Sequence, residues 1–286
     1  YSWKESLPVA QMATLTEIQD YGKALYKKSF LEGLVYGDFK ELDARRALRI
    51  FNEKTKRKGI NRKDAFDLKY LDQSQYEEIQ YVGKLSVNNS CFYREYVLGE
   101  DSPGLRATSM IISQALQQPF FTEMRTNQQL GYIVWSYQNN RDETLYLTFV
   151  IQSGEFTADD VNQRADDFIA STPEFLASMD AKTFQQLKDS AIEQLEKKPM
   201  SIRERANKLK TFIFEHDADF QRDDKTIAAL ETLDQAAAVD LLLKTVSKET
   251  RRMMNCLMFA EQHDNSSGAK SSFDDVNTWK ASRIYK

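Results

Sequence analysis

Apolar and polar residues alternate most sharply at Leu145, Leu147, Phe149 and Ile151, every second position of one run, which predicts a strand with a single buried side. Tyr132 to Tyr137 reads as its partner, joined through Asn139-Asn140-Arg141-Asp142 as the turn of a hairpin. Upstream, residues 76 to 83 and 90 to 99 are rich in Tyr, Val and Phe, with Asn88-Asn89 between them, and predict a second hairpin. After the Ser102-Pro103-Gly104 break, Met110, Ile111, Ala115 and Leu116 mark a helix. Downstream the period becomes helical. Start signals stand at Thr157 and Asp160, at Asp180, and at Ser201 and Glu204, with stripes through Val161, Ala165 and Phe168, through Phe184, Leu187, Ala191 and Leu195, and through Ile202, Ala206, Leu209 and Ile213. Pro173 and Pro199 are expected to end the first two of these helices. Further helices are predicted near Ile227 to Leu233 and over Gln235 to Val246, then a strand over Met253 to Phe259 and a polar tail from Ser266.

The first sixty residues read differently. Residues 1 to 28 predict a helix, Phe30 to Tyr36 a strand, and a further helix capped by Asp38 runs to about Phe51. A lone strand between two helices builds no sheet by itself, so this portion resembles the tail of an interrupted domain. The basic stretch from Lys54 to Lys63 has no apolar period and reads as a linker. The expected organisation is therefore 1–65, the end of one domain plus linker, and 66–286, a complete domain. The class is α+β, a mostly antiparallel sheet packed against helices.

Composition narrows the function. A content of 41% hydrophobic and 29% charged residues describes a globular chain, and no apolar run reaches membrane-spanning length. The formal charge of −4 argues against nucleic acid, whose binders neutralise phosphate with excess Lys and Arg, and leaves protein or peptide partners. Cys91 and Cys256 lie in separate strand-like runs and read as small apolar residues, not as a disulfide framework. Tyr1 is no initiator, which suggests an upstream portion; compartment is not legible.

Candidate chemistry is sparse. The two histidines, His216 and His263, have no second His at ligand spacing; His216 reads as packing at a helix end and His263 as solvated. Neighbouring acids such as Asp166-Asp167 diverge in direction. What stands out is Phe120-Phe121-Thr122-Glu123-Met124-Arg125-Thr126-Asn127-Gln128-Gln129-Leu130-Gly131-Tyr132, joining helix to strand. Pro119 suits a first helical turn, Gly131 a left-handed helix end, and Arg125 and Gln129 share a face one turn apart. Arg125, Gln129 and Tyr132 then project toward one donor-rich site; alternatively this is a surface Arg and a half-buried Tyr at an ordinary junction.

The segment resembles the R-T-x-x-Q-L-G-Y signature in the C-terminal half of insulysin- and pitrilysin-type zinc metallopeptidases, peptidase family M16. Arg125, Thr126, Gln129, Leu130, Gly131 and Tyr132 match in register. Ile151-Gln152-Ser153, Asn88-Asn89-Ser90-Cys91 and Trp3-Lys4-Glu5 are similar as well, and the likeness extends to about Gln262. The resemblance implies the M16 domain fold, shared with LuxS and mitochondrial processing peptidase, in which related α+β domains close in two halves around a chamber. It implies zinc held by the H-x-x-E-H motif of an N-terminal half, none being present in this chain. That half and peptide substrates are the implied partners. Arg125 and Tyr132 would contact substrate and its developing oxyanion, with Gln129 and Gly131 in support. The chain alone would be inactive. Pitrilysin-like relatives imply a periplasmic setting and insulysin-like ones a cytoplasmic setting. The alternative is an M16-fold module that binds peptide or a partner subunit without catalysis; a stand-alone hydrolase ranks behind both.

Overall fold

A computed structural model of the protein describes residues 3–56, 58–65, 69–72, 77–141 and 143–285. They fall into two compact units, 1–68 with 200–210, and 69–199 with 211–286.

In the first unit the expected single helix is two, α1 (Trp3–Met12) and α2 (Leu15–Lys27). The reason is local. Thr14 accepts from the Glu17 N–H at 3.3 Å while its own N–H donates to Glu17 at 2.8 Å, a capping box that starts a new helix. The strand expected over Phe30 to Tyr36 is not formed, because its apolar residues find no ladder partner among the described residues. Pairing instead joins β1 (Lys28–Ser29) in parallel to β2 (Lys58–Gly59). The third helix, α3 (Glu41–Thr55), starts later than expected. Lys40, not Asp38, is its N-cap, Asp43 returns the bond, and Lys56 ends it with φ 50°. The basic stretch is thus partly ordered; it holds the end of α3, β2 and an Arg62–Glu32 pair at 3.1 Å, while Arg57 lies outside the described residues. α2 and α3 bury no residue, and Ile18, Tyr21 and Leu42 stand exposed.

The second unit is built on a five-stranded sheet of β3 (Glu78–Lys84), β4 (Ser90–Glu100), β5 (Ile133–Arg141), β6 (Thr144–Ser153) and β7 (Met253–Phe259), in the order β3-β7-β4-β6-β5. The hairpin expected of β3 and β4 does not form. β7 enters between them, parallel to β3 and antiparallel to β4. Its strict in-out alternation is the pattern of a strand with one covered side. The other hairpin does form, β5 against β6, with its turn shifted so that Arg141 pairs with Thr144. The rest of the sheet is antiparallel.

Phe92, Tyr96, Leu147, Phe149, Ile151, Val134, Leu257 and Phe259 are buried on one side of the sheet. α4 (Pro103–Phe121) and α5 (Ala158–Ser178) share that core. Phe120 of α4 meets Phe149 of β6 and Phe168 of α5 edge-on, at 5.0 and 5.3 Å between ring centres. On the same side, Arg94 is buried and donates to Asp166, to Asn162 at 2.8 Å and to Asn255 at 3.2 Å, fastening α5 to β4 and β7. A buried cation is tolerated only with such partners.

Pro173 does not end α5 but lies buried inside it. A proline leaves the carbonyl four residues back without its donor, and here the hydroxyl of Thr172 donates to the Ile169 carbonyl at 2.7 Å. α6 (Ala181–Glu196) stops before Pro199 as expected, and α7 (Ile202–Glu215) follows. α8 (Arg222–Thr232) begins earlier than the apolar pattern suggests, and α9 (Gln235–Val246) matches its prediction. The polar tail is ordered. Ser271 and Ser272 bond along β3, and Phe273 stacks between Tyr81 and Trp279 of α10 (Val276–Ala281), so the outer edge of β3 is covered. Among the described residues no helix is long and apolar enough to cross a membrane.

Candidate functional site: a helix-to-strand junction

Ser102 caps α4 through the Leu105 N–H, and Pro103 stands in its first turn. Pro119, expected at a helix start, lies near the end of this helix instead. Beyond Phe121 the ladder widens into a π-helical turn, Thr122–Asn127. The Thr122 N–H is shared between the carbonyls of Gln118 and Pro119, and the Gln128 N–H reaches the Glu123 carbonyl five residues back at 3.0 Å. Such turns are uncommon and concentrate at functional sites.

The turn closes when Leu130 N–H bonds the Met124 carbonyl at 2.9 Å, which drives Met124 and Leu130 into the core. The residue in the left-handed conformation is Gln129, with φ 54°, and not Gly131 as the sequence suggests. Glycine is required at 131 for another reason. A Cβ there would lie 1.9 Å from the Gln152 carbonyl oxygen of β6, closer than non-bonded heavy atoms can approach. Gln129 falls outside any helix, so the helical face expected for it and Arg125 is not formed; its side chain is exposed. Tyr132 stands just before β5, which begins at Ile133.

Arg125 and Tyr132 do come together. The guanidinium lies 4.6 Å from the Tyr132 ring centre and 5.1 Å from that of Phe121, and its Nη1 donates to the Tyr132 carbonyl at 2.8 Å. No carboxylate forms an ion pair with it among the described residues. Arg125 is therefore a cation held by aromatic faces and one carbonyl, with its charge uncompensated and further N–H donors to offer. Tyr132 is 81% exposed, so its hydroxyl is free to meet a ligand.

Sequence reasoning passed over the groups that hold this arrangement. Phe121, four residues before Arg125, was open to detection, since residues at that spacing meet on a helix. Glu123, Gln128 and Arg164 were not, because their contacts depend on the π turn and on α5. Glu123 accepts from Asn127 at 2.7 Å and from Gln128 at 2.8 Å, and Gln128 in turn accepts from Arg164 at 3.3 Å. The bonds from Gln128 and then Asn127 hold the Glu123 carboxyl below its ordinary range.

Neither histidine offers a metal site. His216 follows α7, half-buried, and burial first, then the charge of Arg222, lowers its affinity for a proton. His263 is tied down, contrary to the solvated reading: its Nδ1 lies 2.8 Å from the Ser90 hydroxyl and its carbonyl accepts from Lys84 at 2.6 Å. Burial, then the neighbouring Cys91, pushes the Cys256 thiol up to about 11. Among the described residues no group of three or more His, Cys, Asp and Glu side chains could hold a metal ion, so the donor set here does not fit zinc.

The α+β fold of the chain is one shared with solved M16 peptidases. Residues 111–210 match the family described as PQQ synthase PqqF-like, C-terminal lobe domain 4. The insulin-degrading enzyme of Drosophila melanogaster is 20% identical over 276 residues, 93% of this chain and 28% of that protein. The solved structure of pitrilysin superposes with a TM-score of 0.83 at 20% identity, over 100% of this chain and 31% of that one. A peptidase M16 inactive domain from Pseudomonas fluorescens superposes with a TM-score of 0.59 at 15% identity, over 88% of this chain and 58% of that one. The chain spans about a quarter of the length of the curated relatives it matches. The chain is thus similar to insulysin- and pitrilysin-type peptidases, and its residues 111–210 to a C-terminal lobe domain.

Proposed function

We propose that this chain is the zinc-free half of a peptide-degrading metalloendopeptidase, forming wall and substrate contacts of a chamber completed by an N-terminal half. One observation carries the reading: Arg125 and Tyr132 meet just beyond the end of α4, the one without an ion pair among the described residues and the other exposed. A carbonyl oxygen of a bound peptide is the natural acceptor for the remaining N–H groups of Arg125 and for the Tyr132 hydroxyl. Two fixed donors on one oxygen orient the scissile bond and favour negative charge on that oxygen as it develops. Gln129 sets the left-handed turn, and Gly131 admits the close approach to β6, so both act through the backbone. Zinc and its ligands belong to the N-terminal half in this reading, which the lack of a metal-holding group among the described residues supports.

The test is peptide cleavage by this chain alone with added zinc. No chelator-sensitive turnover is expected; robust turnover would overturn the assignment. The second reading is a partner module of the M16 fold without catalysis, which the likeness to an M16 inactive domain favours. An H-x-x-E-H motif in the polypeptide that carries this chain supports the enzyme, and its absence supports the module.

A further inference from the structure

Glu123 is oddly placed for a surface acid. It lies in the first turn of the π helix, half-buried, and both carboxylate oxygens are engaged: Oε2 by Asn127 Nδ2 at 2.7 Å and Oε1 by Gln128 Nε2 at 2.8 Å. The second contact spans five residues, the same span as the backbone bond from Gln128 N–H to the Glu123 carbonyl. An α-helix brings residues three and four apart together, so this side-chain bond suits the widened turn and not the ordinary one. Gln128 is held from outside as well. Its Oε1 accepts from Arg164, which is fixed to Asp160 at 3.1 Å and lies over the Phe156 ring at 4.9 Å.

Arg125 sits inside the loop that these bonds close. Among the described residues no acid fixes its guanidinium, so its aim depends on the path of the backbone from Glu123 to Gln128. We propose that Glu123 is a positioning residue: with Gln128 and Arg164 it clamps the π-helical turn and thereby holds Arg125 against Phe121 and Tyr132 in the orientation that meets the peptide. This rests on the proposed role of Arg125. Releasing the clamp lets the turn revert toward α geometry, which rotates Arg125 away from Tyr132. A shift of this order near reacting groups costs about 10- to 100-fold in turnover.

The experiment compares the full-length, zinc-loaded protein with its Glu123→Ala, Arg125→Ala and double variants on a fluorogenic peptide. The guanidinium NMR resonance of Arg125 and the melting temperature are recorded alongside. Glu123→Ala is expected to lower kcat about 10- to 100-fold with KM, zinc content and melting temperature unchanged. It should also broaden the Arg125 resonance and add no further loss once Arg125 is Ala. Glu123→Gln, which keeps an acceptor oxygen, should recover part of the loss. In the unsubstituted protein the same broadening should appear as pH falls through the depressed pKa of Glu123 and the clamp is protonated. An unchanged resonance in Glu123→Ala, or losses that multiply in the double variant, would overturn the proposal. If Arg125→Ala itself leaves turnover intact while Glu123→Ala still frees the guanidinium, the role assigned to Arg125 fails and the clamp stands.

Discussion

Arg125→Ala in the full-length protein is expected to lower peptide turnover by about 10²- to 10³-fold, the typical loss for one donor to a developing oxyanion. Bound zinc, measured by elemental analysis, should be unchanged, because no metal ligand is touched. Folding should also survive, since among the described residues the guanidinium engages only the Tyr132 carbonyl and two aromatic faces. Loss of metal in this variant, or near-normal turnover, would count against the role. The size of the effect follows from the absence of any carboxylate partner among the described residues: an Arg already neutralised by an acid would lose little by removal. Tyr132→Phe keeps the ring over which Arg125 lies and removes only the hydroxyl, so a smaller loss is expected from it.

The second large effect is on stability. Gly131→Ala is expected to destabilise the domain by about 3 kcal/mol or more, because the new Cβ meets the Gln152 carbonyl oxygen at 1.9 Å and β6 is too tightly paired to retreat. Gly154→Ala is the matched control. Its Cβ finds Asn89 Oδ1 at 3.4 Å, an ordinary contact, and a change within about 0.5 kcal/mol is expected. Urea unfolding of the two variants decides it, and equal midpoints would show that the junction tolerates a side chain. The glycine is thus needed for space, not for backbone handedness.

This exchange of roles between Gly131 and Gln129 illustrates what a sequence can and cannot disclose. Leu145, Leu147, Phe149 and Ile151 announced their strand by placing an apolar side chain at every second position, but the single buried side expected of it was not met, because Tyr146 and Thr148 on the opposite face are buried as well. Met253 to Phe259 was equally legible as a strand, yet its place between β3 and β4 was not, since no local pattern states which edge a strand will find. Pro173 misled because a proline inside a helix can be offset by a neighbouring hydroxyl, here Thr172, and that bond becomes visible only in three dimensions. Phe30 to Tyr36 misled in the other direction, being apolar without a strand partner among the described residues.

At the site, Arg125 and Tyr132 could be named from the R-T-x-x-Q-L-G-Y resemblance. Their contact could not be read from helical spacing, because the π turn and the left-handed Gln129 set it. The bracing by Arg164 crosses from α5 to the junction and has no signature along the chain.

The most direct measurement is complementation. An N-terminal half carrying the zinc motif, prepared separately, is mixed with this chain or with its Arg125→Ala variant, and peptide turnover is followed. The account predicts that turnover appears with the unsubstituted chain and is about 10²- to 10³-fold lower with the variant, at equal zinc content. Full turnover by the N-terminal half alone, or equal rescue by both chains, would contradict it.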